Sequence, residues 1–180
     1  RLLFDLQMPV AETFGFRKKG QLLDARTASE CMMQRYYRAA HSVCQLNMIL
    51  LQNLQFRLFP KPQVTVRLND RFNEVNGLLD IASDTVFTRH PSAIFEAFHL
   101  LSQRADLKEM TVRTQRAMWH ARMNIDRHFR NNRTNHAFFL KILQSERFAV
   151  RTLAYMNRMG ILGRYLPNFG RIVGQMQYDL

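Results

Sequence analysis

The sequence predicts an all-α fold: an irregular helical bundle around one long helix, about residues 27–58, with a small β-hairpin near 72–81. Three observations carry that expectation. Apolar residues recur at three- and four-residue steps along most of the 180 residues. Glycine and proline are scarce, at seven and five, and fall mainly between those periodic runs. One Asn-Gly pair, Asn76-Gly77, stands between two short alternating stretches.

The elements follow in order. LLFDLQMPVAETFGF can form a short helix from Met8 or Pro9, because proline is tolerated in a first turn, and Gly15 is placed to end it. RKKGQ (17–21) reads as a loop. Thr27-Ala28-Ser29-Glu30 is a capping box, in which the threonine hydroxyl accepts from the Glu30 amide and the Glu30 carboxylate reaches back. From there Met33, Tyr36, Val43, Leu50, Leu54 and Leu58 keep helical spacing, with no Gly or Pro before Pro60. That makes one helix of about thirty residues, long enough to serve as a spine for several neighbours. The flanking charges of a coiled coil are missing. Cys31 and Cys44 lie 13 positions apart on this helix, about 20 Å at about 1.5 Å per residue, so they cannot bridge. As two buried thiols they suit a reducing compartment.

PKPQVTV breaks the long helix, and FNEVNGLLDI (72–81) carries the type I′ turn signal of the hairpin. A lone hairpin is marginal in water and must lean on helices. After His90-Pro91 the helical pattern returns with Ile94, Phe95, Phe98 and Leu101. Thr111 can cap a helix running to about Phe129, Asn135 starts another, and Glu146 to Met159 forms a further one that Gly160 terminates.

Net charge is +12, from 26 Lys and Arg against 14 Asp and Glu, and most of the excess lies in residues 91–180. Such a balance fits a nucleotide, nucleic acid or an acidic protein partner, and equally a solvated basic face. On a helical wheel of about 100° per residue, Arg113, Arg116, His120, Arg127 and Arg130 share roughly a third of the circumference. Ala117, Met118, Ala121, Ile125 and Phe129 gather on another face. These five basic residues form the candidate interface, since guanidinium forks pair with phosphates and carboxylates alike. Trp119 lies beside them, able to stack on a base but better suited to packing.

Catalytic and metal signatures are thin. The six histidines form no HExxH or Cys/His spacing, and no GxGxxG or GxxxxGK[ST] phosphate loop exists. Acidic residues are isolated along the chain, inviting no paired-carboxylate chemistry. No run of about 18 uncharged apolar residues and no signal-peptide layout occurs, so a cytoplasmic protein without membrane partners is expected.

RLLFDLQ (1–7), the stretch holding Phe87, His90-Pro91, Ile94 and Phe98, and above all LPNFGRIVGQMQYDL (166–180) resemble the bifunctional PII uridylyltransferase/uridylyl-removing enzymes. The resemblance runs along the whole chain. It implies a helical interdomain region over 1–165, placed between a nucleotidyltransferase domain and an HD metallohydrolase domain, with 166–180 as the lead-in to the latter. The family's metal-binding motifs are expected upstream of Arg1 and beyond Leu180. No catalytic, cofactor-binding or metal residue is therefore carried onto this sequence. The resemblance further implies a parent that transfers UMP from UTP to a tyrosine of the PII signal protein and removes it hydrolytically as glutamine rises. Magnesium or manganese would serve the parent, not this chain. The implied partners are the adjacent catalytic domains and PII, with UTP and UMP met indirectly.

An alternative of another class is a free-standing basic helical module that binds nucleic acid in a salt-sensitive way. Against it, the sequence lacks a helix-turn-helix, an RNA-recognition signature or interleaved aromatics.

Overall fold

The computed structural model describes residues 4–17, 27–59 and 62–172, and the remaining positions lie outside the description. The RKKGQ loop and the chain after Ile172 fall almost wholly in those positions. Helices dominate, joined by a small four-stranded sheet of order β1-β2-β3-β4. The mostly helical class with a small β element is what the periodicity predicts.

Helix α1 spans Phe4–Thr13. It begins a full turn before Pro9, which sits inside the helix rather than at its start. Its end is as expected: the Gly15 amide donates to the Glu12 carbonyl at 2.9 Å and the Phe16 amide to Ala11 at 2.9 Å, the paired bonds of a Schellman stop. Helix α2 spans Ala28–Leu58, with both arms of the Thr27/Glu30 capping box in place. The Thr27 amide donates to the Glu30 carboxylate at 2.6 Å, and the Glu30 amide donates to the Thr27 hydroxyl at 3.3 Å.

The hairpin pairs β2 (Phe72–Val75) with β3 (Leu78–Ile81), Val75 facing Leu78 across the turn. Asn76 and Gly77 both adopt positive φ, 51° and 80°, as a type I′ turn demands. Two short strands extend it. β1 (Thr65–Arg67) pairs antiparallel with β2, and β4 (Glu109–Met110) lies parallel to β3. Leu79 and Ile81 of β3 point inward and alternate with half-buried neighbours, the period of a one-sided strand.

Helices close the core over this sheet. Helix α3 (Val86–Arg89) leads into α4 (Ala93–Gln103), and after β4 come α5 (Val112–Ala121), α6 (Arg127–Asn131), α7 (Arg133–Leu143) and α8 (Ala149–Arg158). Short helices α9 (Leu162–Tyr165) and α10 (Pro167–Ile172) finish the described chain. The centre of the core is α4, eight of whose eleven residues are buried. Phe95 meets Tyr165 edge-on with ring centroids 4.5 Å apart and Phe129 at 5.4 Å, while Phe98 meets Tyr155 at 5.9 Å. Arg151 of α8 donates to the Leu101 carbonyl at 2.9 Å, satisfying an orphan acceptor at the end of α4.

The long helix is therefore not the axis of the bundle. Among the described residues, the continuous buried core runs from Phe72 to Tyr165 and takes none from α2. Helix α2 lies against α1, and two of its glutamines reach the rest of the chain, with Met48 and Ile49 half-buried beside them and Phe56 lining the cleft. Gln45 Nε2 donates to the Arg158 carbonyl, and Gln52 Nε2 to the Met110 carbonyl at 3.3 Å. Cys31 is half-buried and Cys44 is exposed, so the expectation of two buried thiols fails.

The predicted helix over 111–129 divides in two. Thr111 caps α5 as expected, accepting from the Thr114 amide. After Ala121 a 3-10 turn at Arg122–Asn124 intervenes, and Asp126 caps α6 by accepting from the Phe129 amide at 2.8 Å. Helix α7 starts before Asn135, with Asn132 as its cap. Gly160 ends α8 as expected, with Ile161 donating back to Met156 at 2.9 Å. Residues 167–172 form α10 and fold back on α9, where the Gly163 and Gly170 backbones touch so closely that a Cβ on Gly170 would strike the Gly163 carbonyl.

Candidate functional site

A cleft of about 1270 Å³ opens between the C-terminal half of α2, the hairpin, α3 and α5. Its floor is set by the sheet and its wall by α5, whose start is fixed by the Thr111 cap. The hairpin turn brings Asp80 to this wall.

Asp80 is the junction of the site. The Thr111 hydroxyl donates to it at 2.5 Å and the Thr114 hydroxyl lies 3.3 Å away. Arg113 binds both acids of the cleft. Its Nε donates to Asp84 at 2.7 Å, and its Nη1 to Asp80 at 3.3 Å and to the Ile81 carbonyl at 2.9 Å. The hydrogen bond to Asp84 lifts the Arg113 pKa above its ordinary value, partly opposed by burial and helped by the charge of Asp80. The cation is thus held in one orientation.

One and two turns further along α5, Arg116 and His120 line the same cleft. Both are exposed, and neither takes part in an ion pair among the described residues. Three of the five predicted basic residues therefore share one wall. The other two do not join them. Arg127 and Arg130 stand on α6, beyond the 3-10 turn, and Arg130 donates to the Arg164 carbonyl at 3.4 Å.

Trp119 has a partner of its own. The Arg122 guanidinium sits 3.0 Å from the centre of its ring, an i,i+3 cation–π stack. Burial pulls the Arg122 pKa down, and Arg164 adds to the effect. Sequence reasoning missed Asp80 and Asp84, because they lie 33 and 29 positions before Arg113 and reach it only through the fold of the hairpin against α5. The signal available was the Asn-Gly turn, which fixes where Asp80 emerges.

The magnesium or manganese implied by the resemblance finds no donor set here. Among the described residues no group of three His, Cys, Asp or Glu side chains comes together, and both cleft carboxylates are engaged by Arg113.

Residues 72–165 match the family model described as the third domain of uridylyltransferase GlnD, and residues 1–51 match the model of the GlnD PII-uridylyltransferase. The chain belongs to the GlnD uridylyltransferase family. It is similar over 100% of its length to bifunctional uridylyltransferase/uridylyl-removing enzymes, at 48% identity for Bordetella avium and 47% for Chromobacterium violaceum. The Nitrosospira multiformis enzyme is 48% identical, again across the whole chain. The chain spans about a fifth of these relatives, 21%, 21% and 20% of their lengths. No solved structure matches it. Among the described residues no helix is long and apolar enough to cross a membrane.

Proposed function

We propose that this chain is a non-catalytic helical region, 1–165 with a lead-in at 166–180, of an enzyme that transfers UMP from UTP to a tyrosine of PII and removes it hydrolytically in response to glutamine. It scaffolds the flanking nucleotidyltransferase and HD domains and supplies one wall of the cleft where nucleotide and PII meet. The observation that carries this reading is the whole-chain match to GlnD uridylyltransferases joined to the disposition of α5. There, Arg113 is neutralised by two carboxylates, and Arg116 and His120 are left facing the cleft. A net charge of +12 adds a field that concentrates a polyanionic nucleotide or an acidic partner. The catalytic metals and the cytoplasmic setting belong to the parent enzyme in this reading.

The test is a pair of assays with PII, UTP and magnesium or manganese. The purified 180-residue chain transfers and removes no uridylyl group, whereas the full-length enzyme does both. Turnover by the chain alone above a protein-free blank overturns the assignment of a non-catalytic role.

A further inference from the structure

Helix α2 is turned the wrong way round for a helix whose surroundings are complete. An amphipathic helix normally sets its apolar stripe on the protein and its polar face in water. Here Gln45 and Gln52 face the body of the domain, giving their amides to the Arg158 and Met110 carbonyls. On the opposite side Tyr36, Val43, Leu50, Leu54 and Leu58 stand 61%, 66%, 51%, 51% and 68% exposed. At about 100° per residue these five fall within roughly 80° of one another, and Ala40 and Asn47 lie in the same sector, so the face is apolar except for one amide. Leu46 and Leu51 widen it, at 58% and 57% exposure. From residue 39 to residue 56 the helix carries no Asp, Glu, Lys or Arg. A stripe of this length without charge has the composition of the centre of a permanent interface, and monomeric surfaces rarely leave such a patch open.

The identity of the cover follows from where the stripe lies. The third-domain match begins at residue 72, and the core between Phe72 and Tyr165 is closed without α2. Residues 1–51, which hold α1 and most of α2, match the separate PII-uridylyltransferase model. A third domain has two before it, and the relatives are about five times longer than this chain.

We propose that the outward stripe of α2 is the docking surface for the domains that precede the third domain in the same polypeptide. This rests on the reading of the chain as part of a longer uridylyltransferase. On it, α2 joins the helical region to what precedes it, with Gln45 and Gln52 turned to the third-domain body and its outward leucines to the preceding domains. The inverted amphipathicity is the signature of that double allegiance.

Cys44 reports on this surface, since it lies exposed on α2 at the flank of the stripe. The experiment is iodoacetamide alkylation of Cys44 in the full-length enzyme, native and in denaturant, read by peptide mass spectrometry. The native rate is expected to be at least about tenfold slower than the denatured rate, and independent of protein concentration. In the 180-residue chain Cys44 is expected to react close to its denatured rate. Leu50→Lys with Leu54→Lys should restore reactivity in the full-length protein. Native reactivity within about twofold of denatured overturns the proposal, as does protection that vanishes on dilution to monomer, which assigns the stripe to a second copy. Absence of uridylyl transfer by the full-length protein with Cys44 protected instead sinks the functional reading and leaves the docking surface standing.

Discussion

At Glu96 a carboxylate is almost wholly removed from water, at 8% exposure, and survives because donors surround it. Arg71 reaches it with Nε at 2.7 Å and Nη2 at 3.1 Å, and the Asn69 amide adds a third bond at 2.9 Å. These bonds tie the start of the hairpin to the central helix. Replacing Glu96 by Ala strands those donors and should cost about 2 kcal/mol, reduced from a fully buried pair because Arg71 is 40% exposed. Urea denaturation checks it; an unchanged midpoint would show that the network contributes nothing. His99 carries a pH dependence. Burial, and secondarily the charge of Lys141, depress its pKa below 6.5, while Glu96 pulls weakly the other way. As pH falls below that value the unfolded chain takes up the proton before the folded one does, so stability present at neutral pH is lost on acidification. The Tm at about pH 5.5 should fall below that at about pH 7.5, and His99→Phe, beside Phe138, should shrink the difference.

At the scale of elements, what could be read in the sequence was what is local. The Thr27/Glu30 box, the Asn76-Gly77 turn and the Gly160 stop each depend on a few neighbouring residues and are found in place. Removing the first, with Thr27→Ala, should cost about 1 kcal/mol. Putting Ala at Gly77, where φ is +80°, should cost about 1–2 kcal/mol and loosen the hairpin. Thermal unfolding measures both, and equal Tm values for Gly77→Ala and wild type would argue against a strained turn. What escaped was non-local. The two residues of β4 form a strand only because β3 is beside them, and the length of α2 gave no hint that α4 would own the core. The five-residue basic stripe assumed one unbroken helix. Asp126, a capping residue immediately before Arg127, held the information that a new helix starts there, and it moves Arg127 and Arg130 away from the cleft. Arg113 could be placed from its spacing, but its two carboxylate partners are 33 and 29 positions distant in sequence.

For the whole molecule, a core that runs from Phe72 to Tyr165 and an α2 helix with an exposed apolar face are what the proposed connecting role rests on. The third-domain body presents Arg116 and His120 to a cleft whose other side is α2 itself. Any shift of α2 would widen or narrow that cleft. If the α5 wall meets an anionic reactant, Arg116 reports it most directly, because it bears no ion pair among the described residues. Steady-state uridylylation of PII by the full-length enzyme carrying Arg116→Glu should show KM for UTP or for PII raised by about threefold or more, with kcat within about twofold of wild type. A variant whose KM values for both reactants match those of the wild type would contradict it.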